Sequence, residues 1–304
     1  MKTLNLLLIL LIILSLQIYA QDLFNVKQLT FESAHEGFPT WTPDSKSIIY
    51  QYIFMGDTTW KNGLWKISVD GKNQQQIFRG IAEHPKCSPD GKYIVFDSDY
   101  GNSIKIISSD GGEAFSFLAD SIKINKGGLP CWSPDASRIA FKDSEYFLCI
   151  YDIKLNKTTR IFNKDGLLLL PACWSSDGQF ILFSLLDKST RKSTIWKISP
   201  EGKDLKQIMG HHENFYRYLD ISPDGTLLMY GVFKNKHSGI YVMPWDGGTS
   251  LPISVSSESH NEGFCWSPDG SKIAFNSTRK GNFDIWIMEI NKQYLDIKLN
   301  QNVH

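Results

Sequence analysis

A short segment recurs six times along the chain at a nearly constant spacing. Each copy has an apolar run, then Trp-Ser-Pro-Asp-Gly or a close variant of it, then a second apolar run. The six aspartates are Asp44, Asp90, Asp135, Asp177, Asp224 and Asp269, so five steps cover 225 residues and the mean period is 45. Such a period means that each unit buries its apolar face against its neighbours, and it is the length of a four-stranded propeller blade.

The order of signals within one repeat is that of four antiparallel strands. The first strand ends at the Trp, and the Pro-Asp-Gly that follows favours a tight turn, since Pro fixes one dihedral angle and Gly tolerates positive φ. The second strand alternates, as in Ile94 and Phe96, and a third strand follows a loop. A second turn such as Asp70-Gly71 leads to a fourth strand. The sequence predicts an all-β fold, a six-bladed β-propeller of four-stranded antiparallel blades.

The ring of blades needs a closing strand, because an open propeller would leave two unpaired sheet edges. The segment from Val26 to Thr30 resembles the fourth strands of the repeat but precedes the first repeat. The segment from Leu295 to Leu299 also alternates and competes for the same place. We expect the N-terminal segment to complete the last blade, because it keeps the spacing of the repeat to the next Trp.

The chain begins with the pattern of a secretory signal peptide. Lys2 precedes an apolar run from Leu4 to Leu16, and the small Ala20 precedes the expected cleavage site. This run is shorter than the roughly 20 apolar residues of a membrane span. We therefore expect residues 1–20 to be removed and residues 21–304 to form one propeller domain. The mature protein is expected to be a soluble monomer, periplasmic or extracellular, without membrane insertion.

Charge and cysteine content exclude several classes of function. The 32 basic residues balance 32 acidic residues and form no long run of one sign, so the sequence lacks the basic surface expected of a nucleic-acid-binding protein. The five cysteines are odd in number and include no C-x-x-C pair, which argues against a disulfide framework and against a thiolate zinc site. Neither feature identifies a partner.

The motif W-S-P-D-G-x-x-I-x-F recurs in register, and the last copy continues with Ser277, Arg279, Gly281, Asp284 and Trp286. Over about residues 26–290 this pattern resembles the repeat of the TolB-like six-bladed propellers. The resemblance implies a propeller similar to those of periplasmic TolB, of prolyl-oligopeptidase-like enzymes and of oligogalacturonate lyases. The segment from Gln21 to Phe38 is too short for the α/β domain that precedes the propeller in TolB.

No catalytic motif accompanies the repeat. The sequence contains neither G-x-S-x-G, H-E-x-x-H, a phosphate-binding G-x-x-x-x-G-K-[ST] nor G-x-G-x-x-G. A propeller without such a motif is expected to act through its surface, and the loops of a rigid scaffold are where binding residues accumulate.

The two faces of the predicted propeller differ in chemistry. One face carries the similar Pro-Asp-Gly and Asp-Gly turns and is called the turn face below, whereas the opposite face carries loops of unequal length and is called the varied face. The candidate ligand-binding residues all belong to the varied face: His35, Glu36, Trp60, Glu83, His84, His212, Glu213, His260, Glu262 and Arg279. Most of them are expected around the channel mouth, with Trp60 and Arg279 further out. The competing interpretation is that they are polar residues of solvated connections.

Three of these histidines are candidate metal ligands. His35 and His260 each precede their Trp by six residues, their blades are neighbours once the ring closes, and His84 comes from the next blade. Imidazole groups of this kind suit a divalent metal or an anion.

The sequence therefore leaves two functions open. The leading hypothesis is a non-enzymatic scaffold without a cofactor that binds a protein, a peptide or a glycan through the varied face. The alternative is a metal-dependent carbohydrate-active enzyme, because the resemblance to oligogalacturonate lyases implies a divalent metal held by histidines at the channel mouth.

Overall fold

The computed structural model describes residues 24–54, 61–101, 103–116, 127–170, 172–212, 215–234, 237–254 and 259–301. Its strands form six antiparallel sheets arranged as a six-bladed β-propeller, so the predicted fold class is confirmed. The predicted signal peptide, residues 1–20, lies outside the described residues. Within the described ranges, no helix is long and apolar enough to span a membrane.

The first three blades follow the chain in order, each from its inner to its outer strand. Blade one consists of β2 (His35–Trp41), β3 (Ser47–Ile53), β4 (Gly63–Ser68) and β5 (Gln75–Arg79). Blade two consists of β6 (Ala82–Cys87), β7 (Tyr93–Ser98), β8 (Ser103–Ser108) and β9 (Phe115–Ser116). Blade three consists of β10 (Gly127–Trp132), β11 (Arg138–Asp143), β12 (Leu148–Asp152) and β13 (Lys157–Phe162).

The last three blades complete the ring. Blade four consists of β14 (Leu167–Leu169), β15 (Cys173–Trp174), β16 (Ile181–Asp187), β17 (Ser193–Ile198) and β18 (Lys206–His212). Blade five consists of β19 (Phe215–Ile221), β20 (Leu227–Lys234), β21 (His237–Pro244) and β22 (Leu251–Ser254). Blade six consists of β23 (Asn261–Trp266), β24 (Lys272–Ser277), β25 (Asp284–Glu289) and the N-terminal β1 (Val26–Gln28).

The N-terminal strand closes the ring, as predicted. β1 pairs antiparallel with β25, with Val26 opposite Met288 and Gln28 opposite Trp286. Phe24 and Leu29, which flank β1, are both buried. The closure is therefore both a hydrogen-bonded strand pair and a packed apolar seam.

The competing segment is a helix instead of a strand. Helix α1 spans Lys292–Gln301, and the Asn291 side chain caps its first turn by accepting a hydrogen bond from Tyr294 N at 3.0 Å. Leu295 and Leu299 lie four residues apart, which places them on one helical face, and both are buried. The outer edge of blade six is already paired with β1, so this segment has no free strand edge to join.

The recurring Ser-Pro-Asp-Gly is a self-contained turn. In each of the six blades the Ser or Thr hydroxyl donates to the Asp Oδ1 at 2.6 Å. The same hydroxyl oxygen accepts from the backbone N–H five residues later at 2.8 to 3.1 Å. These bonds lower the pKa of Asp135 to about 2, chiefly through the Ser133 hydroxyl. The hydroxyl and carboxylate groups of the motif therefore form their hydrogen bonds within the turn itself.

The inner strand of blade four is interrupted. In five blades the residue three positions before the end of the inner strand has φ between 49° and 58°. The corresponding residue of blade four in the sequence is Pro171, which lies outside the described residues. The inner strand of this blade is divided into β14 and β15, which both pair with β16.

Candidate functional site

The inner strands line the central channel, and they share one irregularity. The pairing of inner and second strand shifts register at the same point in blades one, two, three, five and six. Such β-bulges change the direction in which a side chain points from the strand. The residues with positive φ at this point all line one cavity on the channel: Phe38, His84, Leu129, Tyr218 and Gly263.

Aromatic rings pack across this cavity. The Phe38 ring lies 4.2 Å from the His84 ring and 5.5 Å from the Tyr218 ring, measured between centroids. Gly263 makes this contact possible, because a Cβ there would lie 2.9 Å from Phe38 Cδ1 and 2.3 Å from Asn276 Oδ1. We call Phe38, His84 and Tyr218 the aromatic layer. It divides the channel into a mouth on the varied face and a lower chamber on the turn face.

Charged groups surround the mouth above the aromatic layer. Burial raises the pKa of Glu262, whereas the positive charges of Arg217, His260 and His84 lower it. Burial likewise raises the pKa of Glu83, and the charge of His84 opposes that shift. The structure therefore brings His84 within electrostatic reach of both Glu83 and Glu262, and it brings His260 within reach of Glu262.

His84 is held in place on two sides. Its Nδ1 lies 3.1 Å from both carboxylate oxygens of Asp97, whose side chain is almost entirely buried. Its backbone N–H donates to Gln51 Oε1 of blade one at 3.3 Å. A carboxylate beside one ring nitrogen fixes the ring orientation and leaves the other nitrogen for a further partner.

One buried polar atom beside Glu262, Arg217 Nε, has no hydrogen-bond partner within the described part of the chain. The Asn276 side chain acts on the Glu262 carboxyl group, and Asn276 Oδ1 accepts from Phe38 N at 3.2 Å, which orients the amide. Because a buried polar group without a partner costs about 1 to 3 kcal/mol, Arg217 Nε indicates a place where water or a ligand supplies the missing bond.

Two predicted residues belong to the seam between blades one and six. The His35 ring stacks on Phe283 with centroids 4.6 Å apart. Glu36, the next residue, is fully buried, and its backbone N–H donates to Phe283 O at 2.9 Å. Glu36 therefore points into the packed interface of the two blades, and does not line the mouth.

The remaining predicted residues have other places. Arg279 packs over the Trp286 ring at 4.8 Å and donates to Asn261 Oδ1 at 3.2 Å, so its guanidinium is engaged within blade six. His212 ends β18 and its backbone pairs with Ser193, while its side chain lies outside the described residues. Trp60 and Glu213 also lie outside the described residues.

The mouth histidines do not form a metal-binding group. Among the residues that the structure describes, no three His, Cys, Asp or Glu side chains are placed to hold one metal ion. His35 stacks on Phe283, whereas His84 faces Asp97. The donor set of His35, His84 and His260 therefore does not fit a metal in this arrangement, and the metal site stays a hypothesis.

Sequence reasoning missed the residues that shape the mouth most directly. The repeat pattern does not distinguish Phe38 and Tyr218 from other strand residues, and it does not single out Arg217 or Asn276. One signal could have found the first two, because Phe38, His84 and Tyr218 each lie three residues before the end of their inner strand. Arg217 and Asn276 are placed by contacts between blades, which no local pattern encodes.

Glu36 has an unusual protonation equilibrium. Its carboxyl group is fully buried in the seam. Burial raises its pKa from 4.5 to about 8, and the charge of Asp284 adds to this effect while the Thr30 hydroxyl opposes it. Burial also raises the pKa of Asp284 to about 6. The seam thus holds a carboxyl group that is neutral near pH 7.

Replacing Glu36 by Gln should stabilise the protein in a pH-dependent way. A raised folded-state pKa means that the wild-type carboxyl contributes full stability below pH 4.5 and loses it progressively up to about pH 8. At about 1.4 kcal/mol per pKa unit, the loss reaches about 3 kcal/mol at pH 7. Denaturant unfolding of both proteins at pH 5 and pH 8 should therefore show an advantage of Glu36→Gln that grows with pH.

The matched control is Glu113→Gln, which removes an exposed carboxyl group from blade two. The free energy of unfolding of this variant should differ from that of the wild type by a nearly constant amount over the same pH range. If the stability difference between Glu36→Gln and the wild type is equally independent of pH, Glu36 is ionised and solvated in the folded protein.

Comparison with known proteins places the fold. No family model matches the sequence. Two solved structures with the same ring of blades are an Agrobacterium tumefaciens protein assigned as TolB and the TolB of Acinetobacter baumannii. The first has a TM-score of 0.64 at 17% identity and covers 88% of this chain and 98% of its own. The second has a TM-score of 0.60 at 15% identity and covers 85% of this chain and 64% of its own. The fold is that of the TolB-like propellers.

Other similar proteins extend the comparison without fixing an activity. An oligogalacturonate lyase of Vibrio parahaemolyticus has a TM-score of 0.60 at 13% identity and covers 88% of this chain and 94% of its own. In sequence, an uncharacterized protein of Agrobacterium fabrum is 31% identical over 144 residues, and the alignment spans about half of each chain, 46% in both cases. At these levels of identity the structural likenesses show that the chain shares its fold with the TolB-like propellers, and they show the fold alone.

Proposed function

We propose that this TolB-like propeller is a non-enzymatic binding scaffold that receives a protein, peptide or glycan ligand at the channel mouth of its varied face. The signal-peptide pattern of residues 1–20 supports a periplasmic or extracellular place of action. The ligand would contact Glu83, His84, Arg217 and Glu262 and rest on the aromatic layer.

One contrast between the two faces carries this proposal. On the turn face, the six repeat aspartates are satisfied by hydroxyls of their own turns at 2.6 Å. At the mouth, by comparison, Arg217 Nε is buried without a hydrogen-bond partner among the described residues, and burial raises the pKa of the half-buried Glu262 beside it. Groups that are desolvated in the free protein bind a matching ligand with little further desolvation cost, which favours the mouth as the binding surface.

The chemistry of the mouth also limits the ligand. The Glu262 carboxyl group lies near Arg217, His260 and His84, and the aromatic layer forms the floor, with the Phe38 and His84 rings in contact. Aromatic rings beside hydrogen-bonding groups suit a sugar ring or a peptide side chain, because such ligands have both an apolar face and polar edges.

The proposal is tested by selection followed by mapping. The mature protein is applied to a glycan array and to a displayed peptide library, and the binders are mapped by hydrogen exchange. Protection is expected in β6, β19 and β23, the strands that carry Glu83, Arg217 and Glu262. The double variant His84→Ala with Glu262→Gln should weaken binding about ten- to hundredfold, because it removes two charged partners.

Asp110→Ala is the matched control, since Asp110 is an exposed acidic residue on the turn face. It should bind the selected ligands with unchanged affinity. Protection confined to the Pro-Asp-Gly turns, or equal affinity of the double variant and the wild type, would contradict the proposal.

The alternative of a metal-dependent carbohydrate-active enzyme needs a different arrangement of the mouth histidines. The likeness in fold to an oligogalacturonate lyase favours testing it. Metal analysis of the purified protein decides between the two, together with eliminase assays on polygalacturonate. A stoichiometric divalent metal that is lost from His84→Ala and His260→Ala, with activity that depends on it, would replace the scaffold proposal by the enzyme.

A further inference from the structure

The lower chamber lies on the other side of the aromatic layer and opens toward the turn face. Its cavity volume is about 250 Å³. Its walls are largely apolar and come from the Trp residues that end the inner strands and from the prolines of the turns: Trp41, Trp132, Trp174, Trp266, Pro89, Pro134, Pro223 and Pro268. These residues leave a chamber that is wide enough for a small organic molecule.

One residue from each blade contributes polar chemistry to this chamber. They occupy the position directly before the end of each inner strand: Thr40, Lys86, Cys131, Cys173, Asp220 and Cys265. Burial raises the pKa of Cys131 and of Cys265 to about 12, and that of Cys173 as well, so the thiols are neutral. Lys86 and Asp220 are therefore the two charged groups among the described residues that line the chamber.

These two charges face the same space without pairing. In the described part of the chain no ion pair joins Lys86 to Asp220. Burial raises the pKa of the Asp220 carboxyl group, and the positive charge of Lys86 opposes this shift. Asp220 Oδ2 accepts a hydrogen bond from Trp266 N at 2.8 Å, which fixes the carboxylate in the wall. The Lys86 ammonium has three donors, and no hydrogen bond or ion pair to the described residues engages them.

We propose that the lower chamber binds a small zwitterion of the α-amino acid type, with its carboxylate on Lys86 and its ammonium on Asp220. A monoanion would pair with Lys86 but meet the Asp220 carboxylate, and a monocation would meet Lys86. A zwitterion alone complements both charges, so each is paired when the ligand excludes water from the chamber. The Trp and Pro walls then accommodate an apolar side chain of the ligand.

This site differs from the one at the mouth in its polar groups. Along each inner strand the mouth residues come before the aromatic layer, whereas Lys86 and Asp220 come after it. Lys86 also lines the cavity at the aromatic layer, but Asp220 lines the lower chamber alone, so the Asp220 variant tests this proposal independently of the one at the mouth.

The ligand itself provides the first test. The mature protein is titrated by calorimetry with L-leucine, with 4-methylpentanoate, which lacks the ammonium group, and with 3-methylbutylamine, which lacks the carboxylate. Tryptophan fluorescence is followed in parallel, because four Trp residues line the chamber. We expect L-leucine to bind at least about tenfold more tightly than either truncated analogue, since each analogue loses one charged hydrogen-bonding partner.

Two variants provide the second test. Lys86→Met keeps the length of the side chain, and Asp220→Asn keeps an oxygen that can accept from Trp266 N. Each should weaken L-leucine binding about ten- to hundredfold. Lys92→Met, an exposed lysine of a turn that is ion-paired with Asp90, is the matched control and should bind as the wild type does.

The results that would support this binding site differ from those that would overturn it. Tighter binding of the zwitterion together with its loss in both variants supports the site. The proposal is overturned if L-leucine and a panel of other neutral α-amino acids do not bind the wild type, if 4-methylpentanoate binds as well as L-leucine, or if binding survives in both variants. Should Lys86→Met fail to fold in a thermal melt, Asp220→Asn and the analogue series still decide.

Discussion

Deleting residues 24–31 should abolish the folded propeller as a stable monomer. These residues contain β1, which pairs with β25, and they bury Phe24 in the cluster of blades five and six and Leu29 in the cluster of blades one and six. Loss of two large apolar side chains from a packed core costs about 5 to 10 kcal/mol, which is comparable to the whole stability of a typical domain. The deletion also exposes the edge of β25 to pairing with other chains.

The measurement is denaturant unfolding combined with light scattering. The truncated protein should show a broad or absent transition and should self-associate, and a synthetic peptide of residues 24–31 added in excess should restore part of the cooperative transition. If the truncated protein unfolds with the midpoint and slope of the intact mature protein, β1 does not close the ring.

Trp41→Ala should produce the largest effect of any single substitution proposed for this chain. The Trp41 side chain is buried in the cluster that joins blades one and six, and its Nε1 donates to Cys265 O at 3.3 Å. Truncating a buried Trp leaves a cavity and costs about 3 to 5 kcal/mol. For a domain of this size the thermal midpoint should fall by roughly 10 °C.

Trp41→Phe separates packing from hydrogen bonding. It keeps most of the buried volume but removes the indole N–H, so the expected cost is about 1 to 2 kcal/mol. Both variants are measured by calorimetry on the mature protein. An unchanged midpoint for Trp41→Ala would show that the inner-strand Trp residues do not hold the blades together.

The blades are linked by a repeated exchange between neighbouring inner strands. Trp132 Nε1 donates to Lys86 O of the preceding blade at 2.9 Å, as Trp41 does to Cys265 O. In the other direction, the Thr40 hydroxyl accepts from Cys87 N of the next blade at 3.2 Å. The residues that line the lower chamber therefore also link neighbouring blades. For this reason the test of the chamber includes the conservative variant Asp220→Asn.

The candidate site was predictable only in part. The sequence placed Glu83, His84, His260 and Glu262 near the channel mouth, because their positions before the inner-strand Trp follow from the repeat. It also placed Glu36 there, whereas strand alternation turns this side chain into the seam between blades one and six, where it is fully buried. Arg279 was expected to reach toward a ligand, yet its guanidinium lies over the Trp286 ring.

The sequence by itself determined the number of blades, the antiparallel order of strands and the closing strand. These features depend on local signals, namely the alternation of side chains and the hydroxyl-to-carboxylate turn, and each signal acts within a few residues. These signals recur with a mean period of 45 residues. Six copies at this spacing predict one architecture, the six-bladed propeller.

Only the tertiary structure decided what the channel contains. The positive φ at Phe38, His84 and Tyr218 turns these side chains toward one another, and the absence of a side chain at Gly263 allows their contact. Asp220 reaches Trp266 N across 46 positions, and Trp41 reaches Cys265 O across 224. Contacts over such separations depend on how whole blades pack, and no pattern within a single repeat specifies them.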